Sequence, residues 1–126
     1  CIEPLSPAET DFLNRAEDAI RFAQAFNSPA ARIILDVKAM SSEGKPIPRI
    51  IRDSAGWFVH FHANDPNLKG PGMGEIDFVP ILSALKAVEY TGYISVEVFE
   101  YSDGAERIAE LSIQNLQSAL AALSEP

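Results

Sequence analysis

Four short apolar segments of this chain each carry one side chain that can bind a metal ion. The segments read CIEPL, ARIILD, WFVHFH and YISVEVF, and the side chains are Glu3, Asp36, His62 and Glu97. Isolated acids are expected by chance in a chain with 18 Asp and Glu residues, but one oxygen or nitrogen ligand on every segment is not. Carboxylate and imidazole ligands without a thiolate suit Mn²⁺, Mg²⁺, Co²⁺ or Zn²⁺. The pattern therefore predicts a divalent-metal site where the four segments meet.

The order of predicted elements places these side chains at one edge of a sheet. The chain reads as strand, helix, strand, weak helix, strand, loop, helix, strand and helix, which is typical of parallel βα units. ARIILDV and YISVEVF are apolar at nearly every position, so both are predicted to be buried on two faces. Four βα units are half of an eight-stranded barrel, whose active sites lie at the carboxyl ends of its strands. The predicted fold class is α/β with parallel (βα) repeats, either an open sheet or half of a TIM (β/α)8 barrel.

The first helix is predicted from its capping residues and its apolar spacing. It runs from Pro7 to Phe26, with Ser6 as the N-cap and Glu9 completing a capping box. Residues at helical spacing form its predicted buried stripe, namely Phe12, Ala16, Ala19, Ala23 and Phe26.

Three further helices follow. A weak one is predicted over residues 47–52, and a stronger one begins after Asp77 as its N-cap. The last begins near Ser102 or Asp103. No linker interrupts this order, so one domain, or one part of a domain, is expected.

The composition excludes several classes of protein. The 126 residues are 47% hydrophobic, which is enough for a domain with a core. The net charge of -8 argues against binding of nucleic acid through a basic face. No apolar run approaches the ~20 residues that cross a bilayer, so no membrane partner is expected. The single cysteine, Cys1, favours a reducing compartment, and we predict a cytoplasmic protein. The chain opens on a strand-like segment without Met, which predicts a fragment of a longer protein.

Four stretches of the sequence resemble a known enzyme family. The stretches EPLSPAETDFLN, IILDVKAM, HFHANDPNLKGPGMGEIDF and GYISVEVF are similar to the C-terminal half of the sugar phosphate isomerase/epimerase family. These are xylose-isomerase-like barrels that include D-tagatose 3-epimerase and, more distantly, endonuclease IV. The resemblance extends from Ile2 to about Leu120. It implies one barrel domain over residues 1–126, with strands 5–8 and their helices present and the N-terminal half absent.

The resemblance also implies a metal and a reaction. In the family, one divalent metal is held by residues that correspond to Glu3, Asp36, His62 and Glu97. Mn²⁺ is the first choice, with Mg²⁺, Co²⁺ or Zn²⁺ as alternatives. Glu3 and Glu97 would move the proton next to a ketose carbonyl through a metal-stabilised enediolate. The implied function is a metal-dependent isomerase or epimerase acting on a small sugar or sugar phosphate. The alternatives are a dehydratase of the inosose type and a non-catalytic half-barrel, which could pair as a homodimer or with the missing N-terminal half.

Each candidate ligand also has a simpler interpretation. Glu3 could be a surface acid, and Asp36 could cap the loop after its strand. Glu97 lies within an apolar strand, where an unpaired buried acid is costly, so a metal or a charged partner explains it better. His60 and His62 are two residues apart and point to the same face, and His62 is preferred as the ligand.

Other residues are predicted around the metal site. Glu9 corresponds to a family position that contacts substrate, although the capping box explains it equally well. His60 is predicted to contact substrate or to support His62 by packing. Asp65 is predicted to orient a ligand or the loop that follows.

Two positions depart from the family. Its His that follows the metal Asp is replaced by Ala39, and its Arg that follows the metal His is replaced by Leu68. Both lost groups contact sugar hydroxyls in the family. Lys38 or Lys69 could supply the missing donor, and Lys69 is predicted to bind substrate.

Overall fold

The computed structural model describes residues 1–123, and the last three residues of the predicted domain lie outside the described part. Its helices are α1 (Ala16–Ala25), α2 (Val37–Met40), α3 (Ile47–Asp53), α4 (Phe78–Ala87) and α5 (Ala105–Ala122). Its strands are β1 (Ile33–Asp36), β2 (Phe58–Ala63) and β3 (Ile94–Val96). The strands form one parallel sheet in the order β1-β2-β3. Parallel strands joined by helices confirm the predicted α/β class.

The first predicted strand is reduced to a single bridge, which corrects the prediction of four strands. Ile2 makes an isolated parallel bridge to Ile33, in which the Ile2 amide donates to Arg32 O (2.8 Å) and Ile2 O accepts from Ile34 N (2.9 Å). Pro4 follows two residues later and has no amide hydrogen with which to continue the ladder. The segment nevertheless lies beside β1 and brings Glu3 to its edge.

The two strands that were predicted to be buried on both faces, β1 and β3, differ in their exposure to solvent. β1 comes closer to the prediction, because Ile33 and Leu35 on one face are fully buried, and on the other face Asp36 is buried and Ile34 is partly buried. The prediction is wrong for β3, in which Ile94 and Val96 are 37% and 41% exposed. β3 is an end strand of the sheet, and no strand of the described residues pairs with its far edge.

The first helix begins nine residues later than predicted. Leu13 has φ 57°, a left-handed conformation that a helix cannot contain, so the chain turns before α1 starts. The predicted contact between Ser6 and Glu9 does form, with Ser6 Oγ 2.7 Å from the Glu9 carboxylate, but it closes a turn. Phe12 and Phe26 are 59% and 57% exposed, which corrects their assignment to the buried stripe. Three small residues form the buried face of α1, namely Ala16, Ala19 and Ala23.

The remaining helices follow the predictions closely. α3 covers the predicted weak helix, and α2 is a short helix that the sequence analysis did not predict. Asp77 caps α4, because its Oδ1 accepts from Val79 N (2.9 Å). α4 buries Phe78, Ile81, Leu82 and Leu85 against the core. α5 buries Ile108, whereas Leu120 is 56% exposed. Over the described residues, none of these helices is both long and apolar enough to span a bilayer.

Candidate metal centre

Four side chains from separate segments meet at the carboxyl ends of the strands. They are Glu3, Asp36, His62 and Glu97, and one ligand atom of each lies within 4.8 Å of the others. His62 Nδ1 is 3.1 Å from Glu3 Oε1, 3.2 Å from Glu97 Oε2 and 3.7 Å from Asp36 Oδ2. The structure thus brings together the four residues that the sequence singled out. Their role as metal ligands stays a prediction, which this geometry supports.

The parallel register explains why these side chains converge. Asp36 and His62 are direct partners in the β1–β2 ladder. Glu97 follows the last residue of β3, and its amide donates to Ala63 O at the end of β2 (3.4 Å). Glu3 follows the bridge that joins the first segment to β1. Because parallel strands end at the same edge of a sheet, all four residues arrive on one side.

Asp36 is held more firmly than the other three. It is 1% exposed, and its Oδ1 accepts from Ala39 N (2.8 Å), so it caps α2 as well as joining the cluster. Its Oδ2 accepts from Asn64 Nδ2 (2.6 Å), and Asn64 Oδ1 accepts from Lys38 N (2.8 Å). The cap and the candidate ligand, which were alternative interpretations, therefore coexist. No role was predicted for Asn64, although a polar residue two positions after His62 was a visible signal.

The cluster concentrates negative charge around one imidazole. Burial raises the pKa of Glu3, and the Glu97 and Asp36 carboxylates raise it further, while His62 opposes them. Among the described residues, neither Lys nor Arg forms an ion pair with these carboxylates, and His62 is their cationic partner when it is protonated. Three carboxylates and one imidazole are a donor set that hard and borderline divalent cations accept. The residues present therefore fit a divalent metal.

The two predicted histidines lie side by side. The rings of His60 and His62 are edge to face, with centroids 5.0 Å apart. The two residues are two positions apart on β2 and lie on the same face, so His60 packs against the candidate ligand. This contact is consistent with the predicted role of His60 in supporting His62 by packing. A contact of His60 with substrate stays a prediction.

A cleft of about 550 Å³ is lined by residues that follow two of the cluster residues in the chain, Lys38 after Asp36 and Phe99 after Glu97. Its lining includes Glu9, Lys38, Leu68 and Phe99. Lys38 Nζ forms an ion pair with Glu9 and lies 4.3 Å from the centroid of the Phe99 ring. Burial alone would raise the pKa of Glu9, but hydrogen bonds from Lys38 and Ser6 outweigh it and lower the pKa. Glu9 and Lys38 thus form a charge-neutral pair in the cleft.

Asp65 contacts a loop and lies outside the cluster. It is 1% exposed, and its Oδ2 accepts from Gly74 N (3.2 Å). Burial raises the pKa of Asp65, and backbone amides from Gly72 to Ile76 oppose that rise. A Cβ on Gly74 would lie 2.1 Å from Asp65 Oδ1, so only glycine allows the loop to approach this closely. The contacts fit the predicted role of orienting the loop.

Lys69 joins two loops. Its Nζ lies 2.6 Å from Asp103 Oδ2, and the residue is absent from the lining of the cleft. The neighbouring Leu68 O accepts from Phe99 N and Glu100 N, both at 2.9 Å. The loop after β2 is therefore bonded to the loop after β3. The predicted contact between Lys69 and substrate stays untested, and this position gives it no support.

Curated relatives of the chain are sugar epimerases. D-psicose 3-epimerase of Ruminiclostridium cellulolyticum is 30% identical over 99 residues, which are 79% of this chain and 34% of that enzyme. D-psicose 3-epimerase of Agrobacterium fabrum is 30% identical over 104 residues, which are 82% of this chain and 36% of that enzyme. The chain therefore spans about a third of the length of these relatives.

The fold comparison agrees. The structure of an L-ribulose 3-epimerase superposes with a TM-score of 0.81 at 24% identity, covering 97% of this chain and 48% of the other. At that identity the likeness shows the fold alone. The family described as xylose isomerase-like TIM barrel matches residues 1–119. Because this match takes in nearly the whole sequence, the chain belongs to the xylose isomerase-like TIM barrel family.

Proposed function

We propose that the chain is the metal-binding half of a TIM-barrel ketose epimerase. The observation that carries the proposal is the convergence of three carboxylates and one imidazole within 4.8 Å. Relatives named as D-psicose 3-epimerases support the reaction class. In this proposal residues 1–126 are a single domain that supplies strands 5–8 of the barrel, in the cytoplasm. Further strands would pair with the far edge of β3, to which no strand of the described residues is bonded.

The proposed ligands of the metal are Glu3, Asp36, His62 and Glu97. Mn²⁺ is proposed first because three hard oxygen donors and one imidazole suit it, and Mg²⁺, Co²⁺ and Zn²⁺ are the alternatives. Such an ion, when bound, would polarise a ketose carbonyl and make the neighbouring C–H more acidic. Asn64 would hold Asp36 in place through its bond to Oδ2.

Glu3 and Glu97 are the proposed acid and base. They reach His62 Nδ1 from separate segments, with oxygens at 3.1 and 3.2 Å. Each carboxylate has two oxygens, so one can serve the cluster while the other holds a proton. Epimerisation at the carbon next to a carbonyl needs one group to take the proton and a second to return a proton to the other face. Both are partly exposed, at 26% and 39% of the side chain, and are therefore accessible to a substrate.

The first test measures metal binding by the chain itself. Titration with MnCl₂, followed by calorimetry and by the loss of free-Mn²⁺ signal in EPR, is expected to give one ion per chain. A Glu97→Gln variant should bind at least about tenfold more weakly, because a charged ligand becomes a neutral one. Glu100→Gln serves as the control, since Glu100 lies nearby but outside the cluster. Absence of stoichiometric binding would contradict the proposal.

The second test measures the reaction. The chain, fused to the N-terminal half of a D-psicose 3-epimerase to complete a barrel, is incubated with D-psicose in D₂O. Proton NMR should show exchange at the carbon next to the carbonyl and formation of the 3-epimer. Loss of water from the sugar without epimer formation would favour the dehydratase instead. Metal binding without any exchange would favour a non-catalytic half-barrel.

A further inference from the structure

Lys38 is the one cationic side chain among the described residues that line the cleft. We propose that its ammonium group donates a hydrogen bond to a hydroxyl group of the ketose and so positions the sugar at the metal centre. The hydroxyl group in question lies on a carbon other than the one that is epimerised. This inference rests on the proposed epimerase function, because it assigns a substrate-binding residue to the same site.

The contacts of Lys38 place it where the loops of the site meet. Its amide donates to Asn64 Oδ1 (2.8 Å), directly after β2. Its Nζ pairs with Glu9, in the loop after the first segment, and lies 4.3 Å from the centroid of the Phe99 ring, in the loop after β3. Lys38 itself lies two residues after Asp36. The same four segments supply the four residues of the cluster, so the ammonium group lies at the metal end of the sheet.

The ammonium group of Lys38 has hydrogen-bond donors that the protein does not use. It carries three N–H bonds, and among the described residues its hydrogen-bond partner is the Glu9 carboxylate. The Phe99 ring contacts the charge through its face, which occupies no hydrogen-bond acceptor. A sugar hydroxyl group can accept from Lys38 and donate to Glu9 at the same time. The pair therefore offers both partners that a hydroxyl group needs.

The serine hydroxyl groups that line the same cleft are already engaged. Each uses its single proton within the protein, so none of them has a donor left for a ligand. The bonds are those of Ser41 to Val37 O (2.8 Å), Ser42 to Ala39 O (2.8 Å) and Ser6 to the Glu9 carboxylate (2.7 Å). Among the described lining side chains, Lys38 is the one that can still donate.

The two lysines that the sequence offered as donors are now distinguished. Lys69 pairs with Asp103 and does not line the cleft, whereas Lys38 does. Stability alone does not explain the Lys38–Glu9 pair, because the Lys38 side chain is only 10% exposed and the cost of desolvation offsets the attraction of the charges. Binding of a polar ligand explains the pair better.

The first measurement compares D-psicose binding by the parent chain and by Lys38→Met. Methionine is of similar length and can still pack against Phe99, but it lacks the charge and the donors. The sugar is titrated in MgCl₂ and binding is followed by saturation-transfer NMR. We expect about tenfold weaker binding by the variant, because a hydrogen bond from a charged donor is lost. Binding of Mn²⁺, measured by calorimetry, should not weaken.

The second measurement removes hydroxyl groups from the sugar instead. The monodeoxy analogues of D-psicose that lack the hydroxyl group at C1, C4, C5 or C6 are titrated into both proteins. The difference in affinity between the parent and Lys38→Met should vanish for one or two analogues, those without the contacted hydroxyl group, and persist for the others. A residue that only stabilised the loops would weaken the binding of every analogue by the same factor.

Lys45→Met is the matched control. Lys45 pairs with Glu17 (2.9 Å) across 28 positions of the sequence, as Lys38 pairs with Glu9 across 29, but it lies outside the cleft. The affinity for D-psicose should be unchanged within about twofold. Lys38→Arg keeps the charge and the donors and should recover part of the affinity that Lys38→Met loses. Circular dichroism checks folding, and Lys38→Arg takes the place of Lys38→Met in both comparisons if the latter does not fold.

Three results would overturn the inference: equal affinities of the parent and Lys38→Met for D-psicose, an equal loss for every analogue, or no binding of D-psicose by the parent chain in MgCl₂. A chain that binds D-psicose through Lys38 but binds no metal would contradict the proposed function and leave this inference standing. A chain that binds metal and D-psicose with no effect of Lys38→Met would do the reverse.

Discussion

The candidate metal cluster joins two pairs of residues with different surroundings. Asp36 and His62 are ladder partners on β1 and β2, and their side chains are 1% and 15% exposed. Glu3 and Glu97 lie beyond regular strand pairing, and their side chains are 26% and 39% exposed. The inner pair is positioned by the sheet, whereas the outer pair is positioned by loops.

This difference separates folding from chemistry. Asp36 makes hydrogen bonds to Ala39 and Asn64 that the fold itself requires, because those groups are buried with it. Glu3 and Glu97 hydrogen-bond or pair with His62 and are open to a substrate. We therefore expect substitutions in the inner pair to affect both stability and metal affinity, and substitutions in the outer pair to affect metal affinity alone.

The largest expected effect is that of Asp36→Ala. The change leaves the Ala39 amide and the Asn64 amide group without an acceptor, and it relieves some repulsion from Glu3. We expect a net loss of about 2 kcal/mol in the free energy of unfolding, together with loss of measurable Mn²⁺ binding. Urea denaturation and calorimetry measure the two quantities.

Asp77→Ala is the matched control for that variant. Asp77 also caps a helix, α4, but lies outside the cluster. It should lower the free energy of unfolding by about 1 kcal/mol and leave metal affinity unchanged. If Asp36→Ala retained metal binding, the inner pair would not be a ligand pair.

The contrast also explains which features could be predicted from sequence. Asp36 and His62 end apolar runs on neighbouring parallel strands, so the pattern was enough to place them at one edge of the sheet. The register shift between Ile33 and Ile34, which makes them direct partners, is not visible in the sequence. Two other departures depend on single residues: the turn at Leu13 delays the start of the predicted first helix, and Pro4 stops the predicted first strand. The periodic spacing of apolar residues therefore does not reveal them.

Exposure was harder to predict than convergence. The segment YISVEVF is as apolar as ARIILDV, yet Val96 is 41% exposed. Both β1 and β3 are end strands, but Ile2 bridges to β1, whereas no strand of the described residues pairs with the far edge of β3. Composition does not reveal which strand is last. The ion pairs of Lys38 with Glu9 and Lys69 with Asp103 join residues 29 and 34 positions apart, so only the tertiary fold decides which lysine lines the cleft.

Asn64→Ala should have the second largest effect and sharpen the comparison. Asn64 is 1% exposed and contacts Asp36 without joining the cluster. Its removal leaves Asp36 Oδ2 and the Lys38 amide unpaired, so we expect a loss of about 1 to 2 kcal/mol in the free energy of unfolding. Mn²⁺ affinity should fall about tenfold, since Asp36 is no longer held. A stability loss with unchanged metal affinity would show that Asp36 needs no such support.

Glu97→Gln isolates the outer pair. Glutamine keeps the shape of the side chain and removes one negative charge from a partly exposed position. We expect at least about tenfold weaker Mn²⁺ binding with an unchanged urea midpoint in the metal-free chain. Glu3→Gln should behave in the same way. A large shift in the urea midpoint for either variant would show that the outer pair also stabilises the fold, as the inner pair does.

Lys69→Ala is expected to have the smallest effect. The Lys69–Asp103 pair joins the loops that follow β2 and β3, but the Leu68 carbonyl already bonds both Phe99 and Glu100 there. Hydrogen bonding from Lys69 lowers the pKa of Asp103 below its ordinary 3.8, so the contribution of the pair is present above that pH and is lost as the pH falls through the lowered pKa. At pH 7 the variant should melt within about 2 °C of the parent, and the difference should vanish in acid. Mn²⁺ and D-psicose affinities should be unchanged within about twofold, because Lys69 touches neither the cluster nor the cleft. A loss of D-psicose affinity would instead restore Lys69 as the substrate-binding lysine and extend the outer, loop-borne part of the site beyond Glu97.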